Sequence, residues 1–490
     1  MLFSSNIFLY ILLPLTLALT ALCPKRWGNS ILLAISLFFY AWGESGYVVV
    51  MLACIALNYV FGLLLGRVKD ERAAGWVIAL AIAANVALLG YYKYFNFLMG
   101  NLNALLEWLG VAPLEFTPAH LPLGISFFTF RILTYVIGVY FGEFPAQRNP
   151  LRLALFTSFF PVLIAGPIVR YGDMAAELEK RSVDLELFAG GVRRFIIGLG
   201  KKVLIANTLG VCADEIFAIP AHGLTAGLAW TGAVCYTLQI YFDFSGYSDM
   251  AIGMGHMFGF HFLENFNYPY ISRSITEFWR RWHISLSSWF RDYVFMPLQM
   301  AWRERMMRGT IAAVMVTFLL TGVWHGANWT FVLWGVCHGA LIAAERLTGL
   351  EKKRGWGERI GALRHVYALV AITAGWVLFR SESLAQAGAM LGAMAGLGRG
   401  DGIEFNTALY LNAKVAAALA AGVVFSMPLL PWLRAAVDER RAKAAPDDPL
   451  AALLLRGYEA AGVAAHALIF LACAMCLAAG THNPFIYFRF

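Results

Sequence analysis

Long apolar runs alternate with short polar loops along the whole chain. A helix needs roughly 20 apolar residues to cross a bilayer, and runs of about that length predict membrane spans throughout. The predicted spans lie at about 6–23, 29–43, 46–66, 75–96, 121–141, 203–220, 224–242, 310–327, 329–345, 365–381, 409–431 and 461–480. The run 153–169 is interrupted by Pro161 and Pro167, which predicts a broken or re-entrant element. The pattern predicts an all-α polytopic membrane protein with about 11–13 transmembrane helices.

The composition agrees with this pattern. Of the 490 residues, 60% are hydrophobic and 14% are charged, whereas soluble domains carry about 25% charged residues. The net charge of +8 fits basic loops on the cytoplasmic side of a membrane. Binding to nucleic acid would need a basic reader domain, and the sequence shows none. We expect one integral-membrane domain over residues 1–490, without nucleic acid as a partner.

The charges of the loops predict a topology. Basic loops stay in the cytoplasm, so the loop around Arg67 is placed inside, and the turn at Glu44 and the loop 97–120 are placed outside. The segment 170–202 is rich in Lys and Arg, which predicts a cytoplasmic amphipathic helix in contact with membrane lipid. Arg131 lies within a predicted span and is costly in lipid, so we expect it to face a cavity or an acidic partner.

One histidine lies inside an apolar run that is too long for a single span. Residues 309–344 contain no Asp, Glu, Lys or Arg, and a continuous helix of that length would reach roughly 54 Å across a core of about 30 Å. Either two spans meet in a turn near Gly326, or one span is followed by a re-entrant piece. His325 lies at this break and is the candidate catalytic base, with Asn328 one turn away if the segment is helical. The alternative is a hydrogen-bonded histidine that only packs.

Two carboxylates lie in the apolar stretch 241–260. Asp243 and Asp249 are either functional groups, as carboxylates within a membrane often are, or they cap helices or pair with nearby arginines. His256 and His261 are five residues apart, which does not place them on one helical face, and nothing near them completes a tetrahedral set. We therefore predict no metal site.

The segment 272–291, with the sequence SRSITEFWRRWHISLSSWFR, combines aromatic and cationic residues. Ser274 and Glu277 form a capping-box pattern that predicts the start of one helix. The apolar stripe of this predicted helix contains Trp279, Trp282, Leu286, Trp289 and Tyr293. The other faces of the helix carry Arg280, Arg281, His283 and Arg291. Either these cations meet lipid headgroups, or they bind the phosphates of a soluble donor at the mouth of a tunnel that leads to the histidines.

Three motifs together resemble a known family. The stretches YFDFSGYSDMAIG (241–253), EFWRRWHISLSSWFRDYVFMPL (277–298) and TGVWHGANWTFVLWGVCHG (321–339) are similar to the membrane-bound O-acyltransferase (MBOAT) superfamily. Within it they resemble the bacterial branch of alginate O-acetyltransferases and teichoic acid D-alanyl transferases. The core motifs lie within 241–345, and the similarity covers almost the whole chain.

This resemblance implies a fold, an activity and a site. The implied fold is a ring of transmembrane and re-entrant helices around a central tunnel. The family's invariant histidine falls on His325 and its second histidine on His283. The implied reaction moves an acetyl group from a cytoplasmic thioester, with acetyl-CoA as co-substrate and no permanently bound cofactor, to a hydroxyl beyond the bacterial inner membrane. The acceptor is a periplasmic acetyltransferase or esterase-like partner, or the secreted polysaccharide itself.

The chemistry of the residues fits that reaction. A neutral imidazole at His325 can take the proton of an acceptor hydroxyl, and Asn328 or a backbone N–H near Gly326 can stabilise the oxyanion. His283 orients the donor, relays a proton or carries the acyl group transiently. The predicted donor-binding residues are Trp279, Arg280, Arg281, Trp282, Arg291, Asp243 and Asp249.

Two other functions remain open from the sequence. One is transfer of D-alanine from a carrier-protein thioester to teichoic acid, as the D-alanyl transferases of the same branch do. The other is a glycan transporter without enzymatic activity, since broken helices with polar residues at mid-membrane also occur in transporters. A transporter is expected to show inverted internal repeats, and the sequence shows none.

Overall fold

The computed structural model describes residues 2–350, 361–443, 449–480 and 486. Within these residues the regular structure is helical and no strand occurs. The α-helices are α1 (Leu13–Leu22), α2 (Gly28–Gly43), α3 (Val48–Leu65), α4 (Glu71–Trp108), α5 (Ile125–Tyr140), α6 (Pro150–Ser158), α7 (Tyr171–Glu179), α8 (Leu185–Gly200), α9 (Asn207–Phe217), α10 (Ala226–Met257), α11 (Ile275–Arg281), α12 (Ile284–Phe290), α13 (Met296–Ala301), α14 (Met306–His325), α15 (Trp329–Thr348), α16 (Leu363–Arg380), α17 (Leu384–Gly392), α18 (Thr407–Tyr410), α19 (Ala413–Phe425), α20 (Leu429–Lys443) and α21 (Pro449–Ala478).

Among the described residues, five helical stretches are long and apolar enough to cross a membrane, and a bent pair makes up to six. The five are Val48–Leu65, Glu71–Trp108, Leu185–Phe217, Arg303–His325 and Arg456–Ala478, and the two helices of the bent pair meet at 52°. The all-α multi-pass prediction is confirmed. The number of helical stretches that meet this length test is smaller than 11–13 because several apolar helices are short. The 16 residues of α2 and of α5 rise only about 24 Å each, less than a bilayer core.

Three predicted boundaries are wrong. Helix α4 continues through 97–108, which was predicted as loop. A single helical stretch from Leu185 to Phe217 replaces the predicted interfacial helix and the span that was predicted to follow it at 203. Helix α10 extends to Met257, past the predicted end at 242. In the last two cases charged residues indicate a loop by local rules, but Arg194, Lys201, Lys202, Asp243 and Asp249 form ion pairs with one another and are therefore compatible with a buried helix.

Glycines let α8 and α10 cross at close range. A Cβ on Gly191 would lie 2.6 Å from the carbonyl oxygen of Gly253, and one on Gly198 would lie 2.5 Å from that of Gly246. The reverse substitutions on Gly246 and Gly253 would meet backbone just as closely. Such small-residue interfaces are typical of helix pairs within membranes. They bring the charged side chains of the two helices into direct contact.

The apolar run 309–344 forms two antiparallel helices, α14 and α15, that meet in a turn after His325. They pack closely because a Cβ on Gly322 would lie 2.4 Å from the carbonyl oxygen of Phe331, and one on Gly335 would lie 2.4 Å from that of Phe318. At the turn, the ring of Phe331 occupies the place of a side chain at Gly326. The predicted break near Gly326 is therefore observed as a turn between two helices, of which α14 belongs to one of the five stretches long and apolar enough to cross a membrane.

The predicted broken element between α6 and α7 is confirmed. Helix α6 ends at Ser158, a short 3₁₀ turn covers Phe160–Val162, and the chain to Arg170 is irregular. Arg131 from α5 is fully buried against it and donates to the carbonyl oxygens of Thr157 and Val162 at 3.3 and 3.5 Å. This arginine meets no acidic residue among those described; it satisfies backbone that the break leaves without helical partners.

Candidate functional site

His325 is the last residue of α14, and its backbone is held by α4. The side-chain hydroxyl of Tyr94 donates to the carbonyl oxygen of Val323 at 2.8 Å. The ammonium group of Lys93 donates to the carbonyl oxygens of Trp324 and, at 3.2 Å, of His325. The last carbonyls of a helix have no partner within it, so these two neighbouring residues satisfy three successive carbonyls. The end of α14 is thereby fixed in place.

Aromatic rings enclose the imidazole of His325. Its centroid lies 4.8 Å from the ring of Trp324, 5.2 Å from that of Trp334 and 5.0 Å from that of Phe379, each nearly edge to face. The side chain is buried, with 6% of its surface exposed. Such packing restricts the ring to one orientation, which a base needs if it is to meet its proton at a defined distance.

Two cavities meet at His325. One has a volume of about 530 Å³ and is lined by polar groups that include Glu44, Lys93, His120 and Ser126. The other is small and apolar and is lined by Phe244, Trp282, Ile486 and four further residues, His325 among them. His325 belongs to the walls of both. One imidazole thus lines both a wide cavity with a mixed polar and apolar wall and a narrow apolar one.

His283 is fully buried at a break between α11 and α12. Its φ of 43° is left-handed, a conformation that is uncommon for residues with a side chain and often marks functional positions. Its Nδ1 lies 3.1 Å from Oδ1 of Asn265, and among the described residues its Nε2 has no hydrogen-bond partner. Its ring lies 6.4 Å from Trp324, which also contacts His325. The two histidines therefore both lie next to the same indole.

The break at His283 overturns the prediction of a single surface helix over 274–291. Ser274 caps α11 and Glu277 pairs with Arg281 at 3.0 Å, as predicted. The helix ends after seven residues, and the continuous stripe does not form. Trp279 and Trp282 are buried in the protein, where they contact other aromatic rings rather than lipid. Periodicity alone cannot show a left-handed residue between two short helices.

A buried carboxylate connects α11 to α15. Glu345, which is 1% exposed, accepts hydrogen bonds from the backbone N–H groups of Ile275 and Thr276 and from the hydroxyl of Thr276. A carboxylate at a helix N-terminus satisfies N–H groups that have no helical partner. The contact holds the segment with His283 against the helix that follows His325.

The three predicted donor-binding arginines have different surroundings. Arg281 donates to Glu277 and to the carbonyl oxygen of Asn267, and Arg291 pairs with Asp292 at 2.6 Å. Burial raises the pKa of Asp292, but hydrogen bonds from Arg291 and Arg170 outweigh it and lower the pKa below its usual value. Arg280 is exposed, and no described residue forms an ion pair or hydrogen bond with it. Its guanidinium group is the one of the three that is open to a ligand.

The two aspartates predicted for donor binding are engaged in ion pairs. Asp243 lies 2.8 Å from the ammonium group of Lys202, and both side chains are almost fully buried. Asp249 is paired with Lys201 at 2.7 Å and with Arg194 at 2.9 Å. These pairs connect α10 to α8 and to the π-helical turn that follows α8. The geometry favours the alternative in which the carboxylates pair with neighbouring cations.

Asn328 is positioned differently from its prediction, because α14 ends before it. Its side-chain oxygen accepts from the N–H of Thr330 and so caps α15, and its amide donates to the carbonyl oxygen of Glu382 at 3.0 Å. It does not lie one helical turn from His325 on the same helix. Its oxygen and one of its two amide hydrogens are thereby engaged, and a backbone N–H near Gly326 is the other predicted oxyanion donor.

Several residues of the site were missed from the sequence. Lys93 was detectable, because it is the one charged residue between Arg72 and Glu107 and a cation in such a run is a functional candidate. Trp334 lies within the third motif, 321–339. The others carry no local signal and reach the site through the fold; they are Tyr94, Glu44, His120, Phe379 and Ile486.

Comparisons with known proteins identify the family of the chain. Residues 145–380 match the model of the membrane-bound O-acyltransferase family, MBOAT, so the class of the protein is a membrane-bound enzyme that transfers acyl groups to hydroxyls. A protein of Azotobacter vinelandii named "Probable alginate O-acetylase AlgI" is 41% identical, with all of both chains covered. The "Peptidoglycan O-acetyltransferase" of Helicobacter pylori is 33% identical over 81% of this chain and 80% of its own. The chain belongs to the MBOAT family, in its AlgI branch.

A third relative is more distant. The "Teichoic acid D-alanyltransferase" of Bacillus subtilis is 33% identical, but over 42% of this chain and 53% of its own. The family confirms the predicted O-acyltransferase activity and decides against a transporter without enzymatic activity. The roles of individual site residues stay predictions.

Proposed function

We propose that the protein transfers an acetyl group from acetyl-CoA, bound on the cytoplasmic side of a bacterial inner membrane, to a hydroxyl of a secreted polysaccharide such as alginate. The observation that carries this proposal is the place of His325 between two cavities of different character. A donor approaching from one side and an acceptor from the other can meet at one imidazole. The relatives that match along the full chain are named alginate O-acetylases. These names support acetyl as the transferred group and alginate as the kind of acceptor.

The proposed reaction needs one base and one oxyanion donor. The imidazole of His325 takes the proton of the acceptor hydroxyl while the hydroxyl oxygen attacks the thioester carbonyl. The oxyanion of the tetrahedral intermediate accepts from backbone N–H groups at Gly326 and Ala327. The carbon–sulfur bond then breaks, and the leaving thiolate takes the proton from the imidazolium. The products are the O-acetyl ester and free CoA, and His325 returns to its neutral form.

The donor is proposed to approach past α11 and α12. Arg280 offers an unengaged guanidinium to the phosphates of CoA, a geometry that arginine suits well. Trp282 follows two residues later and lines the apolar cavity beside His325. The chain thus runs from an exposed cation to the reacting centre within a few residues. His283, with its free Nε2, is placed to orient the thioester or to relay a proton.

The acceptor is proposed to enter the wide cavity. Its volume of about 530 Å³ suits a sugar unit, and Glu44 and His120, which pair at 3.0 Å, provide polar groups for hydroxyls. The charges of the loops support a position of this side outside the cytoplasm. The acceptor is either the polysaccharide itself or a periplasmic protein that carries the acetyl group to it. Transfer of D-alanine is the weaker candidate, because those relatives match less than half of the chain.

Vesicles with two separated compartments test this function. Purified protein is reconstituted in liposomes, and its orientation is determined by protease accessibility. Radiolabelled acetyl-CoA is supplied on the side of Arg280, and oligomannuronate on the side of His120. Labelled oligosaccharide is expected with this arrangement and not with the two substrates exchanged. Release of labelled acetate without labelled oligosaccharide would point to a protein acceptor, and no turnover of acetyl-CoA in any arrangement would contradict the proposed donor.

A further inference from the structure

Ile486 reaches the catalytic histidine from a distant part of the sequence. Its side chain is 4% exposed and lines the small cavity together with His325 and Trp282. Its backbone N–H donates to the carboxylate of Asp243 at 2.9 Å, a contact between residues 243 positions apart. A residue far along the chain is therefore held against the reacting centre by a specific hydrogen bond.

The anchor for Ile486 is a buried ion pair. Asp243 and Lys202 are 1% and 3% exposed, and their charged groups lie 2.8 Å apart. The other carboxylate oxygen of Asp243 accepts from Ile486. A paired carboxylate in a desolvated site is a strong hydrogen-bond acceptor. The position of Ile486 beside His325 is thus determined by a rigid pair of helices and not by its own segment alone.

The cavity that Ile486 helps to close is small and apolar. Besides His325 it is lined by Ile240, Phe244, Trp282, Trp376, Phe379 and Ile486. Its volume is about 10 Å³, which is close to the roughly 10–15 Å³ that one water-sized group requires. A methyl group has about that size and, unlike water, needs no hydrogen-bond partners. The cavity therefore matches the methyl group of an acetyl ester.

We propose that this cavity holds the methyl group of the transferred acetyl, and that Ile486 is a specificity-determining residue that excludes longer acyl chains. The inference rests on the proposed function, since it takes an acyl thioester as the donor. With the methyl group in the cavity, the thioester carbonyl lies beside the imidazole of His325. A propionyl group carries one further methylene, which would have to displace the side chain of Ile486 or an aromatic ring. Rejection of one methylene by an apolar pocket is worth roughly 10- to 200-fold in kcat/KM.

Acyl-chain selectivity tests this inference. Purified wild type, Ile486→Ala and the control Ile219→Ala, a buried isoleucine outside the cavity, are compared for kcat/KM with acetyl-, propionyl- and butyryl-CoA. Ile486→Ala is expected to raise the ratio of propionyl to acetyl turnover about 10-fold or more. Ile219→Ala is expected to leave the ratio unchanged even if it lowers stability. An unchanged ratio in Ile486→Ala would overturn the proposal.

A second variant covers the case in which Ile486→Ala folds poorly. Ile486→Phe fills the cavity and is expected to lower kcat/KM for acetyl-CoA at least 10-fold. Full activity of Ile486→Phe with acetyl-CoA would also overturn the proposal. A wild type that turns over no acyl-CoA contradicts the proposed function itself. A wild type that is active while its variants keep its selectivity contradicts only the role of Ile486.

Discussion

The ammonium group of Lys93 lies 3.2 Å from the backbone carbonyl oxygen of His325 and also donates to that of Trp324. Lys93 belongs to α4, more than 200 residues earlier in the chain. A partly buried cation at the C-terminal end of a helix interacts favourably with its carbonyls. The candidate catalytic residue His325 is therefore positioned by a lysine that lies outside α14 and outside the motif 321–339.

Replacing Lys93 is expected to slow the reaction without weakening donor binding. In Lys93→Met the carbonyls of Trp324 and His325 lose their donor, and the imidazole loses its fixed position. A displacement on the order of 1 Å lowers a rate by about 10²-fold, so we expect a loss of that size in kcat and little change in the KM for acetyl-CoA. Steady-state kinetics on purified protein measure both constants.

Two further lysine variants make this result specific. Lys93→Arg keeps a cation and is expected to recover part of the activity. Lys69→Met removes an exposed lysine and is expected to behave as wild type. An equal loss of kcat in Lys93→Met and Lys93→Arg, or a change confined to KM, would contradict the role of Lys93 in positioning His325.

Arg280 is expected to contribute to donor affinity. It is the predicted donor arginine without a protein partner, so Arg280→Gln removes a charge that only a ligand uses. We expect the KM for acetyl-CoA to rise about 3- to 10-fold with kcat nearly unchanged, the range for a partly exposed charge-assisted contact. Arg281→Gln is the comparison, because that guanidinium is already engaged by Glu277. A larger effect on KM in Arg281→Gln than in Arg280→Gln would contradict this assignment.

Two adjacent glycines of α8 test the close helix crossing. A Cβ on Gly191 would lie 2.6 Å from the backbone of Gly253, whereas one on Gly190 would meet nothing within 4 Å. We expect Gly191→Ala to lower the melting temperature clearly, since backbone cannot move away easily. Gly190→Ala is expected to be neutral or to stabilise by about 0.5–1 kcal/mol through helix propensity. Similar melting curves for the two variants in the same detergent would show that the crossing is not tight.

Part of this site was predictable from the sequence. The run 309–344 is too long for one span, which placed a break at Gly326 and His325 beside it. The capping pattern at Ser274 gave the correct start of α11. Both predictions depend on local rules, namely helix rise, bilayer thickness and hydrogen bonding within a few residues.

The rest depends on contacts that no local pattern encodes. Asn328 was assigned to the oxyanion because its role as a cap of α15 appears only once α14 ends at His325. Asp243 was assigned to donor binding because Lys202 and Ile486, its partners, lie in other segments. The single helix over 274–291 was wrong because one residue, His283, adopts a left-handed conformation. In each case a tertiary contact or one backbone torsion overrides the local signal.

The central claim is that His325 is the base of an acetyl transfer. Its most direct test uses purified wild type, His325→Ala, His325→Gln and, as control, His222→Ala, which changes an exposed histidine. Transfer and hydrolysis of radiolabelled acetyl-CoA are measured, and folding is checked by size-exclusion chromatography and melting. We expect both His325 variants to fold and to lose at least about 10²-fold in turnover, with His222→Ala unaffected. A folded His325 variant that keeps full transfer activity would contradict the account.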